Sequence, residues 1–218
     1  MVMKESTIIK EYCLANQGGV FDVGYLAENV FKDISYDNVR QIVRRLAKSG
    51  LLRQYSKGMY LIGESDKTDE ERLLNYYLFE GEIRVGMLKG ESLFYELGLL
   101  DKKPETILIR TARASREEHV GPFLVSHSIN YLGGGSLGSY DICVALELIA
   151  NRHLVDLNHL EKYNELLKKY ASAYTDLGMK CIKGGYSGND VVRLADLLED
   201  MDISNRAVDI YVESRHFL

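Results

Sequence analysis

The sequence has no tryptophan, only two prolines and three cysteines among its 218 residues. So few prolines exclude a proline-rich disordered scaffold. The cysteines (Cys13, Cys143 and Cys181) are odd in number and widely separated, with no Cys-x-x-Cys pair. This spacing excludes a disulfide framework and a zinc finger, and it indicates a reduced, cytoplasmic protein.

Long hydrophobic runs are also missing. The longest stretch without Asp, Glu, Lys or Arg is residues 119–140, and it contains five glycines together with several Ser, His and Asn residues. Such a composition does not form a transmembrane helix. Lys4, Glu5, Lys10 and Glu11 would interrupt the hydrophobic core of a signal peptide. We therefore expect neither secretion nor a membrane partner.

The charge is unevenly distributed along the chain. The net charge is −5, which excludes a uniformly basic coat protein, but residues 1–64 hold nine Lys/Arg against seven Asp/Glu. Residues 65–218 hold 18 Lys/Arg against 25 Asp/Glu. Within residues 38–58 there are six basic residues and no acidic one. Such a cluster is either a solvated helix face or a phosphate-binding surface, and its structural context distinguishes the two.

The first 64 residues have the pattern of three helices followed by a β-hairpin. Helices are predicted over 7–15, 24–30 and 36–48, and strands over 51–55 and 59–62. Ser35 is the expected N-cap of the third helix. This order of elements is typical of a winged helix-turn-helix, in which the third helix enters the major groove of DNA. We therefore predict an α+β protein with an N-terminal winged helix-turn-helix domain over residues 1–64.

The third helix carries the predicted DNA contacts. Val39, Ile42, Val43 and Leu46 are spaced as a buried face, which places the basic side chains on the opposite face. Arginine pairs with guanine edges and glutamine with adenine edges, while hairpin cations suit phosphates. Winged helices also serve as protein-interaction modules, but the acid-free basic cluster favours DNA. The predicted DNA-binding residues are Tyr36, Asn38, Arg40, Gln41, Arg44, Arg45, Lys48, Arg53 and Lys57.

Residues 65–218 are predicted to form a mixed α+β domain with a helical end. The expected helices cover 70–79, 90–97, 140–150, 157–174, 189–201 and 204–213, and the expected strands lie at 84–88, 107–109, 123–125 and 129–132. We expect no catalytic residue, no cofactor and no metal ligand in this domain. A partner surface on the helix over 157–174 is an open alternative, because its aromatic stripe is compatible with either core or interface.

The weakest alternative is a nucleotide-binding enzyme fused to a DNA-binding domain. Residues 133–138 spell G-x-G-x-x-G, and Asp156 follows at a suitable distance, but no second strand completes a dinucleotide-binding unit. Glu147 supplies one carboxylate where a nucleotidyltransferase needs a pair to hold its metal ions. The five histidines show no short spacing typical of a metal site.

Two segments resemble a known family. Residues 39–46, continuing through 50–53 and 58–60, resemble the N-terminus of AbiEi-type antitoxins, which are transcriptional regulators of type IV toxin–antitoxin pairs. Residues 90–101, with Pro104 and the strand at 107–109, resemble the Ser-Ala-Leu…Gly-Leu…Pro pattern that follows the winged helix in that family. Leu93 stands where the family tends to have alanine.

The resemblance implies a repressor that binds inverted repeats in the promoter of its own operon. It also implies a C-terminal domain that counters a nucleotidyltransferase-like toxin, and type IV pairs do not require a stable complex between the two proteins. The alternative from a different class is a ligand-responsive winged-helix regulator, whose C-terminal domain binds a small molecule or dimerises.

Overall fold

The chain has a mixed α+β architecture, described by a computed structural model over residues 4–127, 137–172 and 186–215. It divides into two compact units, Met1–Tyr77 and Leu78–Leu218, here called the N-terminal unit and the C-terminal unit. None of the helices in the described ranges combines the length and the hydrophobicity needed to cross a membrane.

The N-terminal unit combines helices with a three-stranded antiparallel sheet. Its elements are α1 (Glu5–Ala15), β1 (Val20–Asp22), α2 (Val23–Asn29), α3 (Tyr36–Lys48), β2 (Leu52–Ser56), β3 (Met59–Ile62) and α4 (Asp69–Leu78). The strand order is β1-β3-β2, with β3 antiparallel to both neighbours. The three helices and two hairpin strands predicted for residues 7–62 are confirmed to within two residues at each end.

The core of this unit lies where α1, α2 and α3 meet the sheet. Ile9, Phe21, Val39 and Val43 are completely buried there. The periodic apolar positions of α3 thus face this core, because their burial removes apolar surface from water.

A buried arginine connects α4 to the sheet. The Arg72 side chain donates from Nε to the carbonyl of Gly18 (2.8 Å) and from Nη2 to the carbonyls of Gly19 (3.0 Å) and Ile62 (2.8 Å). Its Nη1 donates to the carbonyl of Gly63 (3.3 Å). Burial lowers the pKa of this guanidinium. These carbonyls stand just before β1 and at the end of β3, so α4 packs as part of the N-terminal unit.

The division of the chain consequently falls later than the expected boundary. The sequence placed it after residue 64, in a polar stretch, whereas the compact N-terminal unit ends at Tyr77. The difference is the segment 65–68 together with α4, which is linked to the sheet by Arg72, by the Tyr76 hydroxyl donating to Asp22 (3.3 Å) and by the pair between Asp69 and Arg53. These links join residues that are distant in sequence, so no local pattern reveals them.

The C-terminal unit contains a two-stranded hairpin, a four-stranded mixed sheet and five helices in the described ranges. The strands are β4 (Phe79–Glu80), β5 (Ile83–Arg84), β6 (Gly86–Leu88), β7 (Ile107–Thr111), β8 (Glu118–Val120) and β9 (Phe123–His127). The helices are α5 (Gly90–Glu96), α6 (Leu137–Ala150), α7 (Leu160–Ala171), α8 (Gly188–Asp200) and α9 (Arg206–Arg215), with single 3-10 turns at Arg152–Leu154 and Leu157–His159.

The four-stranded sheet has the order β6-β7-β9-β8, in which β7 and β9 are parallel and the outer pairs are antiparallel.

Sequence patterns missed the β4–β5 hairpin and β8, since these strands have only two or three residues each and β8 is largely polar. The helix predicted over 157–174 begins with a 3-10 turn. The strand predicted over 129–132 lies outside the described residues, as does most of the glycine-rich segment at 133–138.

Helix α6 is the centre of the C-terminal unit. Every residue from 142 to 149 is buried, and α6 packs against both α7 and α8. A helix that is apolar on all sides is typical of such a central position. Glu147 is the charged exception on its buried stretch.

Candidate nucleic-acid interface

Helix α3 begins and ends with favourable local interactions. The Ser35 side chain accepts a hydrogen bond from the backbone N–H of Asn38 (3.4 Å), which confirms the predicted N-cap. Asp37 lies in the first turn and Lys48 in the last, so both charges are favourable to the helix dipole. The helix is therefore well defined over the segment that carries the predicted DNA contacts.

The buried face of α3 determines which side chains meet solvent. Val39, Ile42 and Val43 face the core, with at most 3% of their surface exposed. The polar side chains lie on the other face, since successive helical residues are rotated by about 100°. We call this exposed set the α3 surface: Arg40, Gln41, Arg44, Arg45 and Lys48.

The cations of the α3 surface have little compensation from the protein itself. Within the described ranges, Arg40, Arg44 and Lys48 form neither an ion pair nor a side-chain hydrogen bond. Arg45 donates only to the backbone carbonyl of Gln41 in the same helix (3.4 Å). Their charge is therefore available to an external anion.

The two remaining α3 residues of the prediction occupy different surroundings. Tyr36 is 52% exposed at the start of the helix. Asn38 donates from Nδ2 to the carboxylate of Glu5 on α1 (3.0 Å). Asn38 would have to leave this acidic partner before it could contact a base or a phosphate.

The β2–β3 turn holds one further unpaired cation. Gly58 has a φ of +85°, a conformation that favours glycine, and this allows the tight turn after Lys57. Lys57 is exposed and forms no ion pair with any described residue. The pairing register shifts between Gln54 and Ser56, which adds a bulge to β2 just before the turn.

Arg53 differs from the other predicted cations. Its Nη2 lies 2.5 Å from Oδ1 of Asp69 on α4, and this hydrogen bond lowers the pKa of the Asp69 carboxyl. Arg53 thus already has an acidic partner within the protein, although the pair is exposed to solvent. No local pattern could reveal this pair, because the partners are separated by 16 residues.

The C-terminal unit contains a buried polar cluster that sequence reasoning did not find. The Glu147 carboxylate accepts from the Gly90 backbone N–H and from Asn151 Nδ2 on one oxygen, both at 3.1 Å. Its other oxygen accepts from the Tyr186 hydroxyl at 3.2 Å and lies 3.5 Å from Arg110 Nη2. Burial and the nearby Glu147 charge raise the pKa of Tyr186 well above its usual value.

This cluster joins α5, β7, α6 and the segment before α8. Both carboxylate oxygens already have protein partners, and a buried charge is stabilised when it is fully hydrogen-bonded. The arrangement accordingly holds these elements together around α6, in place of the single metal-binding carboxylate considered from the sequence.

A second cluster brings together Asp101, Asp156 and His159. One potential ligand atom from each lies within 4.8 Å of the others. His159 Nε2 is 2.9 Å from the Asp101 carboxylate, and the Asp101 backbone N–H donates to Asp156 (3.2 Å). The hydrogen bond from His159 lowers the pKa of Asp101. The Asp156-x-x-His159 spacing was the available sequence signal, but Asp101 joins it only through the fold.

Comparison with protein-family models found no match, and neither did comparison with curated proteins. Among solved structures, the chain is similar to the RV2827C protein from Mycobacterium tuberculosis, with 16% sequence identity and a TM-score of 0.38. The similarity covers 95% of this chain and 80% of that protein. At this level it identifies neither a fold nor a function for the chain.

Proposed function

We propose that the N-terminal unit is a winged helix-turn-helix domain that binds double-stranded DNA. In this proposal α3 enters the major groove and the β2–β3 hairpin is the wing. The order of α1, β1, α2, α3, β2 and β3, with its three-stranded antiparallel sheet, supports the assignment. The observation that carries it is that Arg40, Arg44 and Lys48, on the exposed face of α3, form no ion pair with any residue that the structure describes.

The unpaired cations supply the affinity in this mechanism. Cations that neutralise phosphates release condensed counterions, so binding weakens as salt rises. Arginine and glutamine side chains at positions 40, 41 and 44 are suited to bidentate contacts with guanine and adenine edges. Lys48 and Lys57 are suited to phosphates, which fix the position of the domain without selecting a sequence.

We further propose that the protein is a transcriptional repressor and the antitoxin of a type IV toxin–antitoxin pair. This narrower role rests on the sequence resemblance in residues 39–60 and 90–109. The repressor would bind inverted repeats in the promoter of its own operon and counter a nucleotidyltransferase-like toxin.

DNA binding is tested by fluorescence anisotropy with the promoter fragment upstream of the gene. Arg44→Ala should weaken specific binding by about 1–3 kcal/mol if it contacts a base. Lys57→Ala should weaken binding to specific and unrelated DNA alike, and should reduce the salt slope by about one. Arg53→Ala should have a smaller effect than Lys57→Ala, because Arg53 is already paired with Asp69.

Lys67→Ala is the matched control, since Lys67 is an exposed lysine of the same unit outside the basic cluster. Equal affinities for the wild type and a combined Arg40→Ala, Arg44→Ala, Lys48→Ala variant would refute the assignment, provided that the variant keeps the thermal stability of the wild type.

The antitoxin role is tested by growth. The neighbouring gene is induced alone, then with the wild-type protein, then with the combined α3 variant. Relief of growth arrest by both proteins would support an antitoxin whose neutralising function is separate from DNA binding. Absence of arrest, or arrest that the wild type never relieves, would contradict the antitoxin role and leave a DNA-binding regulator.

A further inference from the structure

The C-terminal unit contains a cavity of about 390 Å³ between α6, α7, α8 and the 3-10 turn that follows α6. Its apolar part is formed by Ile149, Leu167 and Leu197, together with the buried Tyr163. The Tyr163 hydroxyl donates to the Leu148 carbonyl (3.1 Å), so its polar end is already satisfied. The volume lies within the range of roughly 300–1,000 Å³ typical of small-molecule sites.

Two arginines line the same cavity from different elements. Arg152 belongs to the 3-10 turn after α6, and Arg193 belongs to α8. Burial raises the pKa of the Tyr163 hydroxyl, and both guanidinium groups are close enough to act in the opposite direction. Both arginines thus line one cavity although they are 41 positions apart in the sequence.

Neither arginine is compensated by an acid. Arg152 and Arg193 are exposed and form no ion pair with another residue of the described ranges. The C-terminal unit as a whole contains sixteen Lys/Arg against twenty-one Asp/Glu, so acidic side chains are abundant elsewhere in it. Two unpaired cations beside an apolar cavity are complementary to an anionic group attached to an apolar body.

We infer that this cavity binds a small organic anion, in which a carboxylate or phosphate meets Arg152 and Arg193 while an apolar ring or chain occupies the space between α6, α7 and α8. The planar guanidinium groups supply directed donors to the anion's oxygens. The apolar walls supply affinity that a bare inorganic ion cannot use. The site is independent of the DNA-binding proposal, because all of its residues lie in the C-terminal unit.

The test measures binding to the full-length protein by isothermal titration calorimetry and by thermal shift. The probes are 3-phenylpropionate as the carboxylate and phenyl phosphate as the phosphate, each up to millimolar concentration. Their comparison compounds are 3-phenylpropionamide, which lacks the charge, and inorganic phosphate, which lacks the apolar body. Ligand that binds only the folded state raises the melting temperature.

The expected result is saturable binding of at least one aromatic anion and at least tenfold weaker binding of both comparison compounds. Binding should fall at least tenfold in Arg152→Gln and in Arg193→Gln, and should be unchanged in Arg206→Gln, an exposed arginine on α9 outside the cavity. Arg152→Lys and Arg193→Lys, which keep the charge but lose the planar fork, should lie between the wild type and the glutamine variants.

Three results would overturn the inference: no binding of either aromatic anion, equal binding of 3-phenylpropionamide or inorganic phosphate, or full retention of binding in the double glutamine variant. Preference for 3-phenylpropionate would assign the site to carboxylates, and preference for phenyl phosphate to phosphate monoesters. Either preference would support the inference and would favour a ligand-responsive regulator.

Discussion

Replacement of Arg72 by methionine should destabilise the N-terminal unit around β1 and β3. The guanidinium donates to four backbone carbonyls. Two of them keep a backbone partner without it: the Ile62 carbonyl still accepts from the Gly18 N–H (2.9 Å), and the Gly19 carbonyl from the Ile62 N–H (3.0 Å). The carbonyls of Gly18 and Gly63 have no other donor in the part of the chain that the structure describes.

The magnitude follows from these two carbonyls. A hydrogen bond to a charged donor contributes about 1.5–3 kcal/mol. Because Gly18 and Gly63 are half-buried, water recovers part of the loss at their carbonyls. Methionine also removes the cost of burying a guanidinium, which offsets part of that loss. We therefore expect a loss of about 2–4 kcal/mol in the free energy of opening around β1 and β3.

Amide hydrogen exchange measured by mass spectrometry localises this effect. Peptides that cover β1 and β3 should exchange about 30- to 700-fold faster in Arg72→Met, because each 1.4 kcal/mol corresponds to a factor of ten. Arg72→Lys keeps a positive charge but loses the planar fork of donors. Its exchange rates should therefore lie between those of the wild type and of Arg72→Met. Lys67→Met, at an exposed position in the segment before α4, is the control.

Unchanged exchange in Arg72→Met would refute this reasoning. It would mean that the Arg72 hydrogen bonds contribute nothing measurable to the sheet, and that the other links of α4, such as the hydrogen bond from Tyr76 to Asp22, are enough to hold it. Faster exchange throughout the chain, rather than around β1 and β3, would contradict the local role assigned to this arginine.

Three further predictions concern other polar and backbone features. Glu147→Gln should lower the free energy of urea unfolding by about 1–3 kcal/mol because Arg110 loses its charged partner, and an unchanged midpoint would contradict this. Tyr186 keeps its proton to a higher pH in the folded state than in the unfolded state. Its contribution to the free energy of unfolding is therefore full below pH 10.0 and is lost as the pH rises through the pKa of the folded state. The fall in melting temperature above pH 10 should therefore be smaller in Tyr186→Phe. Gly63→Ala should lower the melting temperature more than Gly50→Ala. Both glycines have positive φ, but at Gly63 a Cβ would displace the end of the Gln17 side chain, which donates to the Cys13 carbonyl (2.8 Å); equal losses would show that this displacement costs nothing.

Local signals explain why the α3 segment was predictable from the sequence. The i, i+3, i+4 spacing of Val39, Ile42 and Val43 orients the helix, and the Ser35 cap defines its start. The turn at Gly58 is equally local, because it needs only a glycine between two short strands. These signals together placed the α3 surface on the solvent side without knowledge of the rest of the chain.

Long-range pairs explain what the sequence did not reveal. Asn38 meets Glu5 across 33 residues, and the partners of Arg72 and Glu147 are up to 54 and 57 residues away. Such pairs depend on how elements pack, and no periodicity encodes them. One of these pairs affects the predicted DNA-binding residues: Asn38 already has an acidic partner on another helix and would have to leave it to contact DNA.

The charge of the N-terminal unit shows why its surface matters more than its total. The unit contains eleven Lys/Arg and eleven Asp/Glu, so it has no net charge with which to attract DNA from a distance. The attraction must therefore come from a local surface of the unit, where cations without an acidic partner in the described ranges lie apart from the acidic residues. Five of the predicted DNA-binding cations form no ion pair in the described ranges: Arg40, Arg44, Arg45, Lys48 and Lys57.

The number of these cations, five, limits how steeply the DNA affinity can fall as the salt concentration rises. Each phosphate contact contributes about −0.9 to the slope of log K against log salt, so five contacts give a slope of about −4.5 per bound chain. Any cation that reads a base instead of a phosphate makes the slope shallower. Anisotropy titrations between 50 mM and 200 mM salt measure it. A slope clearly steeper than about −4.5 per chain would show that cations outside the α3 surface and the β2–β3 turn contact the DNA, while a slope near zero would remove the basis for a phosphate-binding surface.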